Sequence, residues 1–393
     1  MLLLTRPRPF KDETLESYLL RLGQENTTAN YKSFSDDVAY CAELENIISG
    51  KYKGSFSELP SVNLYLEKQP RIRRATMLSY LAKMLKLESI DIENLGFHRS
   101  NLKSGIGHRL IRINDWLIPR CLLRTEGIPV CIECIKQNNY IKKYWHLLAY
   151  RYCHKHNVIL IEKCPKCARR LDYRKSESFH RCLCGFDLRT VPTKKNESLK
   201  TVFDDIEQKE DKSNFLANKP YQEKLQLLVW FLYRFETKME ESVQDLSLEN
   251  IIEAEHYFKN WPQSFIDELK ERELYAEFYT DKQLSKTPFN KVFGNIILNS
   301  RLIKKPSKNE PILIILRGFI NNLIKDNPAD KIPNSGDLLV SIREIATLKD
   351  LTNNEVFKAF EQGRLKPVFH IKPNQSLDLF HCLFSLRQIV NLT

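Results

Sequence analysis

The chain has 393 residues, 42% hydrophobic and 28% charged, enough apolar content for two or three cores and too much for a disordered chain. Its formal net charge of +12 points to a polyanionic partner, most simply nucleic acid. No apolar run reaches 18 residues, so no membrane-spanning helix is expected. Arg6, Arg8 and Lys11 follow the apolar start at once, so no secretory leader is expected either.

Taken in order, residues 1–107 read as an N-terminal helical domain. Arg6-Pro-Arg-Pro9 is an extended lead-in, because proline disfavours helix in the residue before it. Asp12 is placed to cap a helix on which Leu15, Tyr18, Leu19 and Leu22 repeat at helical spacing. A second helix is expected from about Ala75 to Leu87, with Met77, Leu78, Leu81, Met84 and Leu85 on its apolar side and Arg71, Arg73 and Arg74 just before it. Short helices with basic edges suit a helix-turn-helix unit. A small helical bundle without a nucleic-acid role fits the same pattern.

Residues 108–192 read as a tandem zinc-binding domain. Seven of the ten cysteines fall between Cys131 and Cys184. Two cysteines separated by two residues can reach one ion from a single tight turn, and a second pair closes a tetrahedral site. The first set is Cys131, Cys134 and Cys153 with a histidine. Both His154 and His156 are chemically possible, and Cys153-x-x-His156 repeats the gap of the other pairs. The second set is Cys164, Cys167, Cys182 and Cys184, with Gly185 able to supply positive φ after a tight knuckle. Tyr144 to Tyr152 is expected to be a helix with Trp145, Leu148 and Tyr152 on one core-facing side, and His146 and His180 are read as ordinary polar residues. From His108 to Cys184 there are 16 Lys and Arg against 6 Asp and Glu. With two zinc ions and seven thiolates the block stays at about +7. The CxxC spacing beside a basic surface fits metal ligation in a reducing compartment better than disulfides, so a cytoplasmic protein is expected.

Residues 193–222 are polar and mixed in charge, and read as a linker or long surface loop. Residues 223–393 read as a C-terminal helical domain. Leu225 to Phe235 is a dense apolar helix carrying Trp230, Pro262 ends a helix that runs through Tyr257, Phe265 and Leu269 resume the pattern, and Pro311 to Leu323 gives another helix. Residues 341–367 have the outline of a helix-turn-helix. Thr352 or Asn353 can cap its second helix and Gly363 can end it. That second helix, Asn353 to Glu361, carries one lysine and two glutamates, a poor set for reading bases, and a protein-contact role suits it better. Cys41, Cys121 and Cys382 have no partner at ligand spacing and read as buried thiols.

The fold class is therefore mainly α, with a double zinc-binding centre. Sites of four protein ligands leave no position for a reactive water. There is no H-E-x-x-H and no G-x-x-x-x-G-K-[ST]. The chain is expected not to be an enzyme.

These residues resemble the TniQ family of transposition proteins. Arg6-Pro-Arg-Pro-Phe-Lys-Asp-Glu-Thr-Leu-Glu-Ser-Tyr18 with Arg21 is similar to the family's opening, a proline-containing lead followed by E-[ST]-L-x-S. Pro119-Arg-Cys-Leu-Leu-Arg124, Ile128-Pro129, Cys131-x-x-Cys134, Trp145-His146, Cys153-x-x-His156-x-x-x-Leu160 and Cys164-x-x-Cys167 follow its central pattern in order, and Asn260-Trp-Pro262 with Phe265 match further on. Length and the C-terminal part look closest to TniQ of type I-F CRISPR-associated transposons. The resemblance implies a zinc at Cys131, Cys134, Cys153 and His156 and a second at Cys164, Cys167, Cys182 and Cys184. It also implies a homodimeric adaptor that docks on the RNA-guided Cascade complex, beside the crRNA-processing subunit and the adjacent backbone subunit. That adaptor recruits the TnsC ATPase, with crRNA and DNA in the assembled complex. A protein that takes its sequence reading from guide pairing need not read bases itself. The competing expectation is a sequence-specific attachment-site DNA binder of the TnsD kind.

Overall fold

The fold is described from a computed structural model covering residues 3–26, 30–47, 58–63, 71–105, 107–193, 195, 199–206, 215–236, 246–279, 282–302, 310–369, 383–390 and 392. The chain divides into two compact units. The first comprises Met1–Asn101, Arg109–Gln208 and Ser242–Leu246, and the second Leu102–His108, Lys209–Glu241 and Ser247–Thr393.

The first unit opens with α1 (Leu15–Asn26), α2 (Tyr31–Leu44), α3 (Arg71–Leu85) and the short α4 (Ser89–Glu93). On α1 the residues Leu15, Tyr18, Leu19 and Leu22 are all buried, as their spacing requires. Its first turn is capped by Thr14, whose Oγ1 accepts from Ser17 N at 3.1 Å. Asp12, expected as the cap, is instead drawn to three donors on a distant segment, described below. α2 is not among the expected helices; it buries Phe34 and Val38, and Asn30 caps it by accepting from Ser33 N at 3.0 Å. Met77, Leu78, Leu81 and Leu85 of α3 are buried, whereas Met84 is only half-buried. The arginines expected ahead of this helix lie in its first turn.

A three-stranded sheet follows, in the order β1 (His98–Lys103), β2 (Arg109–Ile113), β3 (Trp116–Pro119). β2 and β3 pair antiparallel from Leu110 opposite Pro119 to Ile113 opposite Trp116. Asn114 at φ +52° opens the two-residue turn, a conformation asparagine tolerates. Then come α5 (Ile132–Gln137), the two-residue strands β4 (Tyr152–Cys153) and β5 (Val158–Ile159), and α6 (Tyr173–Ser176). Tyr144 to Tyr152 is not the expected helix: one 3₁₀ turn at Lys143–His146 leads into extended chain. Its backbone groups are claimed by remote partners. Lys143 N donates to Asp12 O at 2.8 Å, Arg124 N to His146 O at 2.8 Å, and Leu148 N to Leu122 O at 2.8 Å. Trp145 and Tyr152 are core residues as expected, and Leu148 is half-buried. The described part of 193–222 departs from a solvated linker at Thr201–Asp204. Phe203 is buried there, and Asp204 Oδ1 accepts from Arg151 N and Tyr152 N, each at 2.8 Å.

The second unit contains α7 (Tyr221–Tyr233), α8 (Leu248–Lys259) and α9 (Gln263–Leu274). Trp230 sits against Phe258, Trp261 and Phe265 with ring centroids 6.1, 5.9 and 5.3 Å away. As expected, α8 stops before Pro262, whose peptide bond is cis, and Phe265 and Leu269 are buried on α9. Next are α10 (Phe289–Phe293), α11 (Ile296–Asn299) and α12 (Pro311–Asp326). Gly105 approaches Arg301 so closely that a Cβ there would lie 1.2 Å from the Arg301 carbonyl oxygen, so only glycine fits. β6 (Leu339–Ser341) leads into α13 (Ile342–Lys349) and α14 (Asn353–Glu361), and β7 (Leu383–Ser385) returns antiparallel to β6 before α15 (Arg387–Val390).

The helix pair α13–α14 is the one expected at 341–367. Ser341 and Glu344 form one capping box, and Thr352 and Glu355 the other, which decides for Thr352 over Asn353. Gly363 at φ +74° ends α14. Asp350, left-handed at φ +55°, ends α13 and pairs with Arg301 at 2.6 Å and Arg317 at 2.7 Å. Among the described residues no helix is long and apolar enough to cross a membrane. Cys41 and Cys121 are buried as expected, and Cys382 lies outside the described residues.

Candidate metal centres

Local structure brings the first four ligands together from two elements. Cys131 is the N-cap of α5 and Cys134 lies in its first turn. Cys131 Sγ accepts from Cys134 N at 3.5 Å, so the thiol performs the capping role of a serine or aspartate. Cys153 ends β4, and the hairpin turn to β5 carries His156 and then Asn157 at φ +54°. Asn157 N donates to Cys153 O at 2.8 Å and closes that turn.

The donor atoms of Cys131, Cys134, Cys153 and His156 all lie within 4.8 Å of one another. His156 Nδ1 is 3.4 Å from Cys131 Sγ, 3.3 Å from Cys134 Sγ and 3.7 Å from Cys153 Sγ, and the Cys134 and Cys153 sulfurs are 3.7 Å apart. A tetrahedral zinc with bonds of ~2.3 Å to sulfur and ~2.0 Å to nitrogen sets sulfurs about 3.8 Å apart and sulfur to nitrogen about 3.5 Å. The donors match these edges, and the sulfur spacing is far beyond a disulfide bond of ~2.05 Å. Hydrogen bonds from Cys131 and Cys134 lower the pKa of the Cys153 thiol, and those with Cys131 and Cys153 raise that of Cys134.

His154 points elsewhere. Its Nδ1 is 2.8 Å from Tyr150 Oη, and its ring lies edge-on to Tyr144. His156 holds Gln137 Oε1 at 3.3 Å with its second ring nitrogen, the outer contact that fixes a ligating imidazole. His146 is buried against Phe97 and Tyr173, and burial lowers its pKa well below the ordinary value, so it stays neutral. Neither His146 nor His180 joins a metal cluster among the described residues.

The second set, Cys164, Cys167, Cys182 and Cys184, also lies within 4.8 Å. Cys164 to Cys184 and Cys167 to Cys182 are each 3.7 Å between sulfurs, again the tetrahedral edge. Both halves are tight knuckles. Ala168 N donates to Cys164 O at 2.8 Å and Gly185 N to Cys182 O at 2.8 Å. The residue after each knuckle's last ligand is left-handed: Ala168 at φ +56° and Gly185 at φ +81°, as Asn157 is in the first centre. Gly185 therefore supplies the expected positive φ at no steric cost, whereas Ala168 bears a Cβ penalty. Cys184 is half-exposed, and the Phe186 backbone N–H draws its thiol down to about 7.

The E-T-L-x-S segment and residues 140–144 form a buried polar knot beside the first centre. Asp12 accepts from Lys142 Nζ at 2.6 Å, Tyr140 Oη at 2.8 Å and Tyr144 Oη at 3.0 Å; burial opposes its ionisation, but these donors hold its pKa below the usual aspartate value. Glu13 accepts from Arg21 at 2.7 Å and from Ser17 Oγ at 3.1 Å, and Ser17 Oγ accepts from Ile141 N at 2.9 Å. Lys143 donates to Asn94 O at 2.6 Å and Asn114 Oδ1 at 2.8 Å, and burial pushes its pKa down to about 8. The sequence motif thus fixes architecture.

Residues 4–160 match the family model of TniQ. This N-terminal stretch, 157 of the 393 residues, is similar to a TniQ domain. The domain ties it to target selection in Tn7-like transposition. A comparison with curated proteins finds no match. The first metal cluster lies wholly inside the TniQ domain and the second lies beyond its end.

Sequence reasoning missed the 140–144 knot, because Asp12 and Lys142 are 130 residues apart and only their contact reveals the role. It also missed the pattern of charge on the second centre. Lys163, Lys166, Arg169, Arg170, Lys175 and Arg181 are exposed and form no ion pair among the described residues. The nearby carboxylates are already engaged: Glu162 by Arg124, Asp172 by Arg174 and Asp187 by Arg189.

Proposed function

We propose that this protein is a non-enzymatic target-selection adaptor. It acts as a homodimer, docks on the RNA-guided Cascade complex, and passes the selected site to the TnsC ATPase and the transposase. Both cysteine-rich centres hold structural zinc, and the protein works in the cytoplasm. The observation that carries this reading is the exposed face of α14, the second helix of the helix-turn-helix. Its charged residues are Glu355, Lys358 and Glu361, all exposed, a net negative set that would repel phosphates in a major groove. Such a helix pair suits a protein surface. The four-donor metal sets support the non-enzymatic part, because neither keeps a position for a reactive water. The test is co-purification of tagged protein with the Cascade subunits and guide RNA at moderate salt, followed by capture of TnsC. Stable association is expected, and its absence would end this reading.

A second reading is direct attachment-site binding of the TnsD kind. The six exposed cations on the second metal centre favour it. Gel shifts without any guide complex separate the two. Specific DNA binding whose affinity falls steeply with salt, and falls less steeply in an Arg169→Ala, Arg170→Ala, Arg181→Ala variant, would select this reading.

A further inference from the structure

A cleft of about 340 Å³ opens on the second unit between α12 and the end of α13. Ile320, Ile324, Leu348 and Ile389 give it an apolar floor, and Arg317, Asn321 and Lys349 stand at its edge. Three further observations bear on what fills it.

The first is charge. The single carboxylate lining the cleft, Asp350, is held by both Arg301 and Arg317. Lys349 forms no ion pair among the described residues, and burial together with the charge of Arg317 lowers its pKa. The rim is therefore cationic, with one ammonium left to be matched. The second is Gly318. It lies inside α12, and a Cβ added there would meet nothing within 4 Å. Glycine weakens a helix relative to alanine, and no neighbour within 4 Å requires it at this place. A glycine on an open helix surface leaves room for another backbone to come close. The third is Ile314, one turn before Gly318 on the same side of α12, which is 51% exposed, whereas Ile312, Leu313, Leu316, Phe319, Ile320 and Leu323 of the same helix are buried.

We propose that this cleft binds an acidic amphipathic helix of a protein partner. Its large apolar side chains enter between Ile320, Ile324, Leu348 and Ile389, a carboxylate pairs with Lys349, and its backbone passes over Gly318 beside Ile314. This is helix-in-groove recognition, with i, i+3, i+4 and i+7 anchors. An apolar floor disfavours nucleic acid, whose contacts are made largely to phosphate and sugar. The inference is independent of whether the chain docks on Cascade.

The test is fluorescence anisotropy of the full chain with a fluorescein-labelled, 16-residue helical peptide bearing leucines at i, i+3, i+4 and i+7 and glutamates elsewhere. Saturable binding is expected in the micromolar range, with a sister peptide carrying lysines at least about ten-fold weaker. Lys349→Glu should weaken the acidic peptide about ten-fold and Gly318→Trp should abolish binding, with melting temperatures unchanged. Gly318→Ala should raise the melting temperature, showing that α12 is intact when alanine is present. Equal affinity for both peptides, unchanged binding by the Lys349→Glu and Gly318→Trp variants, or displacement of the peptide by an equimolar 20-nucleotide DNA would each overturn the proposal.

Discussion

The two metal centres share a ligand chemistry and differ in everything around it. The first is enclosed. Cys131, Cys134 and Cys153 are buried, one ligand caps α5, another ends β4, and the polar knot of Asp12, Glu13 and Lys143 lies on the same stretch of domain. The second is two knuckles at the surface, with Cys167 and Cys184 half-exposed and six unpaired cations around them. A buried centre contributes to folding because many backbone and side-chain contacts depend on its geometry. An exposed one can be lost with less of the fold, and its value lies in the surface that it shapes. The TniQ domain match ends between them, at residue 160, just where that change occurs.

The comparison can be broken most directly by removing ligands. Cys131→Ser and His156→Ala should each release one zinc per chain by elemental analysis and lower the melting temperature by about 10 °C or more, given the free energy that structural zinc supplies. Cys184→Ser should also release one zinc but lower it by less than half as much. Equal losses at both centres would erase that distinction.

Glu13→Ala probes the enclosure of the first centre. It takes from Arg21 the closer of two carboxylates, leaving Glu25 at 3.7 Å, and leaves Phe10 N and Ser17 Oγ without their acceptor; the cost expected from chemical denaturation is about 3 kcal/mol, the size seen when one partner of a buried pair is removed. A loss below about 1 kcal/mol would mean that the knot is not tightly coupled to the fold.

Asp172 sits between the two halves of the second centre. Burial raises its pKa, but hydrogen bonds and charge from Arg174 outweigh that and hold it below the ordinary 3.8. A depressed carboxyl contributes stability that is present above the unfolded value and lost as pH falls through the folded one. The stability gap between the natural protein and Asp172→Asn should therefore be constant above about pH 5 and close below pH 3.8. A gap that widens on acidification would reverse the assignment.

The smallest effects are the sharpest on geometry. His154→Ala should keep both zinc ions and cost about 1 kcal/mol, the loss of its bond to Tyr150. Ala168→Gly should gain about 1 kcal/mol by removing a Cβ from a left-handed knuckle. A melting temperature lowered by that change would show that the alanine is not strained.

Several features were legible because they rest on local chemistry. The seven clustered cysteines follow from spacing, since a gap of one or two residues is what a tight turn can present to one ion. Gly185, Gly363, Thr352 and Pro262 each act within a residue or two of their own position, through φ, a side-chain cap or a missing N–H. The helix expected at Tyr144 to Tyr152 failed for the opposite reason. Its apolar spacing suited a helix, but Asp12, Leu122 and Arg124 take its backbone hydrogen bonds, and no local signal announces partners so far away. The β2–β3 hairpin was passed over because its strands are short and interrupted by arginines at 109 and 112.

By itself, then, the sequence determined the cysteine clusters, the mainly helical class and the caps and stops of the helix-turn-helix, because each depends on neighbours along the chain. Only the tertiary structure decided that His156 and not His154 faces the thiols, that Asp12 and Glu13 are sunk in a polar knot, and that a cationic, apolar-floored cleft lies beside Gly318. Those outcomes depend on which distant groups meet in space, and on how burial then weighs charge against hydrogen bonding.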